Sequence, residues 1–262
     1  MIKFIQNLFG FKKPNSKYII VFANYNYLPV LENWMIAMKN LKIDNYLIIA
    51  LDEKLYIYLK DKNISTLLRP CELNLGRLWI HRIEVILELL KQNYDVIHSD
   101  ADAVWLKDPL PYLENLPQDM IFSQGTIWPP DVQKKWGFVL CCGFFIIRSN
   151  KKTLQFTKNL LERVKNDKDD QVSCNRLLME MQTNWSEPTD SYSIDFREKQ
   201  FICSPQIRTG KCQKLTLALL PHKKFQRVYE ENKEVYIRHL ISEKDNDNIV
   251  NILKKSGCWF TS

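Results

Sequence analysis

The chain has 262 residues, 45% of them hydrophobic and 12% aromatic, which is enough for a substantial buried core and excludes a disordered chain. Its formal charge of +7 favours an anionic partner such as a nucleotide, an acidic glycan or a lipid surface, with a solvated basic face as the plainer explanation and no nucleic-acid partner expected. No run of about 18 apolar residues is present to span a bilayer, and no uninterrupted apolar stretch marks a signal peptide, so a cytoplasmic location is expected.

Residues 1–16 form a separate N-terminal segment. Wound as a helix, Ile2, Ile5, Leu8 and Phe9 share one side while Lys3, Lys12, Lys13 and Lys17 lie nearby, a pattern that suits a peripheral membrane contact or packing on the chain's own domain. From Lys17 the chain alternates strand and helix. KYIIVFAN is a short apolar run rich in β-branched residues, LENWMIAMKNL has helical spacing, and NYLIIALD is a second strand ending at Asp52. A weaker strand follows near STLLRP, then a strong helix from about Arg77 to Lys91, then the strand YDVIHSDAD. This order predicts parallel strands with helical crossovers, whose carboxyl ends gather ligands. Asn24, Asp52, Asp100 and Asp102 all fall on that edge.

Later segments differ in rhythm. MIFSQG and GFVLCCGFFIIRSN read as strands, and KKTLQFTKNLLERVK and DDQVSCNRLLMEM as helices. Past Trp185 come shorter strands at SIDF, KQFIC, KLTLALL and EVYIRHL with little helix between them. No repeat or linker breaks residues 17–262, so one α/β domain with a mixed sheet is the economical assignment. The seven cysteines are odd in number and form no CxxC pair, which favours reduced thiols over a disulfide framework.

The stretch VIHSDADAVWLKDP carries the chemistry. Two carboxylates about 4.5 Å apart at an effective dielectric near 20 repel by roughly 3.5 kcal/mol unless a cation lies beside them. Alternation along an ideal strand puts Asp100 and Asp102 on one face, where a divalent ion and its phosphate ligands can share them. The plainer reading has Asp102 capping the turn and Asp100 paired with a base.

SDADAVWLKDP, preceded by LWIHRIEVILELL and followed by CCGFFIIRSN and DDQVSCNRLL, resembles the nucleotide-diphospho-sugar transferases of glycosyltransferase family 77 and, more distantly, family 8. The likeness runs from about Tyr18 to Trp259. It implies a GT-A fold, a Rossmann-like mixed sheet flanked by helices, and transfer of a sugar from a nucleotide sugar, with UDP the expected carrier. It also implies a carbohydrate-type acceptor, retention of anomeric configuration and a divalent cation, Mn2+ or Mg2+.

By position, the resemblance assigns Asp100 and Asp102 to the metal and ribose, His239 to the metal, and Ala23, Asn24, Tyr27 and Asp52 to the base. It assigns Gly143 to close approach of the donor sugar, Lys244 to the diphosphate, and Asp170 and Gln171 to the reacting sugar as catalytic residues. An imidazole among carboxylates suits manganese better than magnesium. Outside the resemblance, Asp169 or Asp170 reads as a helix cap, Gly143 as a strand bulge and His239 as an ordinary strand histidine. The chain departs from family 8 in having Cys141-Cys142-Gly143 for Asn-Ala-Gly and in lacking the glycine beyond His239 that accompanies the lysine.

Arg82 can be argued from the helical wheel alone. It falls inside the apolar arc of Leu78, Trp79, Ile83, Val85, Ile86 and Leu89, so its guanidinium needs an anionic partner, with a bound phosphate preferred over a core carboxylate. Two other readings compete. In a haloacid-dehalogenase-type phosphatase Asp100 is the nucleophile, Asp102 the acid and Ser123 the second motif, but such enzymes normally open on that strand. A sugar-nucleotide binder without transfer is the other.

Overall fold

A computed structural model describes residues 17–71, 74–196, 198–241 and 245–261. The N-terminal segment and Lys244 lie outside the described residues. Strands β1 (Lys17–Ala23), β2 (Tyr46–Ala50) and β3 (Thr66–Leu68) are linked by helices α1 (Leu28–Asn40) and α2 (Glu53–Asp61). Helix α3 (Leu75–Lys91) then leads into β4 (Asp95–Ser99). These four strands are parallel, in the order β3-β2-β1-β4. Alternation accounts for their apolar character. Tyr18 and Ile20 of β1 enter the core on one face, with Ile86 and Leu89 of α3, while Ile19 and Val21 pack on the other with Val30 and Trp34 of α1.

The next segments are β5 (Val104–Trp105), α4 (Leu110–Glu114), β6 (Met120–Gln124), α5 (Pro130–Trp136) and β7 (Leu140–Ile147). Helices α6 (Lys151–Asp167) and α7 (Asp170–Glu180) follow, then β8 (Asn184–Trp185), β9 (Tyr192–Phe196), β10 (Lys199–Cys203), β11 (Arg208–Cys212) and β12 (Leu215–Leu219). Among the described residues the main sheet has nine strands in the order β3-β2-β1-β4-β7-β6-β12-β11-β8, with β7 antiparallel to both neighbours. The mixed α/β sheet flanked by helices is as expected.

A three-stranded sheet lies apart, formed by β5 with β13 (Phe225–Gln226) and β14 (Ile237–Arg238). A final helix, α8 (Asn246–Lys255), was not expected. Its polar opening reads as loop, yet Asp245 caps it by accepting from the backbone N–H groups of Asp247 and Asn248. Strand β11 was also missed, because RTGKC carries little apolar signal. Among the described residues no helix is long and apolar enough to cross a membrane.

Candidate active site

A cleft of about 680 Å³ opens where β1 and β4 end and the antiparallel β7 begins. It is lined by Ala23, Asn24, Tyr27, Arg82, Asp100, Asp102, Gly143, Asp170, Gln171 and His239, among others. Three of these could hold a metal ion. Asp100, Asp102 and His239 each offer one ligand atom, and the three atoms lie within 4.8 Å of one another.

The acids do not reach this place by alternation along a strand. β4 stops at Ser99, and a turn closed by the Ala103 N–H donating to the Asp100 carbonyl (3.0 Å) carries Asp102 round to the same side. β5 follows at once and pairs antiparallel with β14, setting Val104 opposite Arg238, so the residue beyond each strand, Asp102's neighbourhood on one side and His239 on the other, meets across the small sheet. His239 Nε2 lies 3.3 Å from Asp102 Oδ1 and 3.8 Å from Asp100 Oδ2. Burial and the Arg227 charge push the His239 imidazole down, but Asp102 outweighs them and raises it to about 9. On its other side Nδ1 lies 3.7 Å from Cys141 Sγ, which also accepts from the Gly143 N–H at 3.3 Å.

Gly143 sits where β7 bulges. Phe122 pairs with Phe145 while the adjacent Ser123 pairs with Cys141, leaving the intervening residues unpaired with β6. The Ser123 hydroxyl donates to the Phe144 carbonyl (3.0 Å) and Asp100 N–H to the Gly143 carbonyl (2.7 Å), which settles the loosened backbone. A Cβ on Gly143 would lie 2.0 Å from His239 Cε1 and 2.7 Å from Asp100 Oδ2. Only glycine leaves room for the trio, so the bulge and the close approach are one feature.

Arg82 is buried as its place on the helix predicts, and the anions that meet it are two carboxylates at the edge of the cleft. Its Nε and Nη2 donate to Asp170 Oδ2 at 2.7 and 2.5 Å, and Nη1 to Asp100 Oδ1 at 2.9 Å. The guanidinium is therefore a strap between two carboxylates, with the Trp79 ring 4.4 Å beneath it. Burial opposes ionisation of Asp100, but Arg82 and His98 overcome it and hold this carboxyl well below its usual range. Asp170 is more deeply enclosed, and burial raises it to about 6 despite Arg82. His98, whose Nε2 lies 3.0 Å from Asp100 Oδ1, is pushed down to about 4 by burial and by Arg82, so it is neutral.

Asp52 is engaged by two backbone N–H groups. It is not among the cleft-lining residues. One oxygen caps α2 by accepting from Leu55 N–H (2.7 Å), and the other accepts from Tyr25 N–H (2.7 Å), so it shapes the turn after β1. Asn24 lines the cleft but spends its Oδ1 on Tyr27 N–H (3.0 Å). Tyr27 faces the acids, and burial with the charges of Asp102 and Asp100 raises its hydroxyl far above the ordinary value. Asp169, not Asp170, caps α7. Gln171 bridges two backbones, accepting from Cys142 N–H (3.2 Å) and donating to the Trp128 carbonyl (2.9 Å).

Sequence reasoning missed Arg227 and Trp128 in the lining, His98 behind Asp100, and the contact of Cys141 with His239. Nothing local marks Arg227 or Trp128, whereas an imidazole inside an otherwise apolar strand, two residues before the acid, was a usable sign for His98. The phosphatase reading is not favoured. Asp100 Oδ1 is engaged by Arg82, Ser123 is buried and bonded within the β7 bulge, and the acid ends the fourth strand rather than the first.

The comparisons agree with this architecture. The galactosyltransferase LgtC, solved with donor and acceptor sugar analogues, superposes with a TM-score of 0.50 at 10% identity, covering 94% of this chain and 97% of that one. That likeness shows the fold, which is GT-A. The beta-arabinofuranosyltransferase RAY1 of Arabidopsis thaliana is 24% identical over 153 residues, 53% of this chain and 28% of the relative. The UDP-galactose:fucoside alpha-3-galactosyltransferase of Dictyostelium discoideum is 28% identical over 163 residues, 62% of this chain and 22% of the relative. The chain thus spans less than a third of the length of these two curated relatives. The family model for nucleotide-diphospho-sugar transferase matches residues 41–252, from the end of α1 into α8, and the chain belongs to that family.

Proposed function

We propose that this chain is a metal-dependent retaining glycosyltransferase, moving a sugar from a nucleotide sugar, with UDP the expected carrier, to a carbohydrate-type acceptor. The observation that carries the reading is the Asp100, Asp102 and His239 trio in the cleft, with Gly143 leaving the space beside it open. Two carboxylates and an imidazole suit a divalent cation, Mn2+ ahead of Mg2+. Bound there, the cation would offset charge on the departing nucleoside diphosphate. Relatives named for UDP-galactose and UDP-D-xylose support a UDP-linked donor without choosing the sugar.

The chain's own residues have separable tasks in this reading. Arg82 keeps Asp100 ionised and aimed, and Cys141 braces the far nitrogen of His239 so that Nε2 faces the acids. Asp170 is strapped to Arg82 and buried, which argues against its acting as a covalent nucleophile. Attack by the acceptor on the face that the diphosphate leaves is consistent with that, with retention as the outcome. Asp170 and Gln171 then fix the floor and wall of the sugar end of the cleft.

The test combines a donor screen with one variant. Nucleotide sugars, including UDP-galactose, UDP-xylose, UDP-glucose and UDP-arabinose, are assayed for Mn2+-dependent hydrolysis, and UDP binding is measured by calorimetry. Asp102→Asn is expected to weaken Mn2+-dependent UDP binding at least tenfold while the melting temperature barely moves. Equal UDP affinity in variant and wild type would remove the metal from the proposal.

A further inference from the structure

The cleft has two arms, because β4, which leads to Asp100, lies between β1 and β7 in the sheet. The β1 arm holds Ala23, Asn24 and Tyr27, and the β7 arm holds Cys142, Gln171 and Trp128. In an open α/β sheet a nucleotide settles at the carboxyl ends of the parallel strands, here β1 and β2. With its diphosphate at the acidic trio, its sugar then points into the β7 arm.

Trp128 stands in that arm with 56% of its surface exposed. Among the described residues its ring has no aromatic or cationic partner, in contrast to Trp79, which is occupied by Arg82. The exposure is not slack, since the Trp128 carbonyl is held by Gln171, whose other end grips Cys142 beside Gly143. Leu75, 48% exposed, shares the same lining. A large aromatic face kept open and braced against the reaction floor suits a ligand that brings its own weakly polar face.

We infer that Trp128 is the platform on which the acceptor's pyranose ring stacks, with Gln171 as the residue that positions it. The inference rests on the glycosyl-transfer reading above. On that reading the donor sugar would lie against the trio, Gly143 and the buried Asp170, whereas Trp128 is on the exposed side, where a second substrate would enter. The axial C–H groups of a pyranose carry slight positive charge and match the negative face of the indole.

The experiment is saturation-transfer NMR with methyl α-L-fucopyranoside, methyl β-D-galactopyranoside and methyl β-D-glucopyranoside in the presence of UDP and Mn2+. Wild type, Trp128→Phe and Trp128→Ala are compared, with UDP affinity measured on the same samples. The wild type is expected to bind at least one glycoside, Trp128→Phe to retain it, and Trp128→Ala to lose about tenfold in affinity for it. A wild type that binds none of the three, or an alanine variant that binds as well as wild type, overturns the inference. So does an alanine variant whose UDP affinity falls as far as its glycoside affinity, because Trp128 would then serve the nucleotide. Failure of the wild type to bind UDP with Mn2+ overturns the transferase reading itself.

Discussion

Replacing Arg82 by methionine tests the strap that underlies the site. Methionine keeps the apolar stem packed in the core but removes the guanidinium donors that reach Asp170 and Asp100, leaving His98 beside Asp100. Asp170 is 2% exposed, so it cannot turn to water for compensation. Breaking a buried ion pair by removing one partner costs about 3–5 kcal/mol. With an unfolding entropy of about 2.1 cal/mol/K per residue, the chain loses roughly 5–9 °C in melting temperature.

The loss should grow with pH. Asp170 titrates at about 6 in the folded chain, above its unfolded value near 3.9. Its protonated form therefore contributes stability that is full below the unfolded value and is lost as pH rises through the folded one. Without Arg82 the folded value climbs further, so the gap between variant and wild type is wider at pH 8 than at pH 5. Thermal melts at both pH values, repeated in an Asp170→Asn background, measure this. The reasoning is refuted if Arg82→Met melts with wild type at pH 8, or if Asp170→Asn leaves the penalty of removing Arg82 intact.

Two further outcomes follow from contacts around the cleft. Cys141→Val removes the sulfur that meets His239 Nδ1 and should weaken Mn2+ binding about 10- to 100-fold, whereas Cys141→Ser should preserve most of it; calorimetric titration with Mn2+ that finds valine and serine alike removes the bracing role. His222 is buried, accepts from the backbone N–H groups of Arg227 and Val228 at Nε2, and is lowered to about 4 by burial and by Arg227. Its contribution to stability is present above the unfolded value near 6.5 and is lost as pH falls through about 4, so His222→Gln should flatten the acid side of a melting-temperature profile, and parallel profiles would contradict this.

The first half of the fold could be read from the sequence because each signal there is local. Apolar runs of β-branched residues gave β1, β2 and β4, and the polar stripe of α3 left Arg82 on the wrong side of its own helix, which marked it as buried. The identity of its partner was not local. Asp170 lies 88 residues away, and the apolar arc that exposes the need for an anion says nothing about which anion meets it. The same limit explains Asp52, whose acid at a strand end has equal use as a helix cap, and His239, whose approach to the acids depends on the two-residue strands β5 and β14. Strands of that length have no periodicity to detect.

The charges of the site share a single geometric logic. Asp100 and Asp102 repel wherever they are brought together, and the fold spreads that repulsion over separate partners instead of cancelling it at one point. Arg82 takes Asp100 at Oδ1, while His239 and Tyr27 meet Asp102. Asp100 Oδ2 is left facing His239 at 3.8 Å, across the space that Gly143 keeps free of a side chain. A cation entering there would find one carboxylate already ionised and oriented and would have to reorganise little. The strap from Arg82 to Asp170 is what fixes that carboxylate, so a change at Asp170 reaches the proposed cation site through a side chain that touches both Asp100 and Asp170. On the proposed reading, stability and ligand binding are coupled through that guanidinium, which is why removing it is the sharpest perturbation that this site offers.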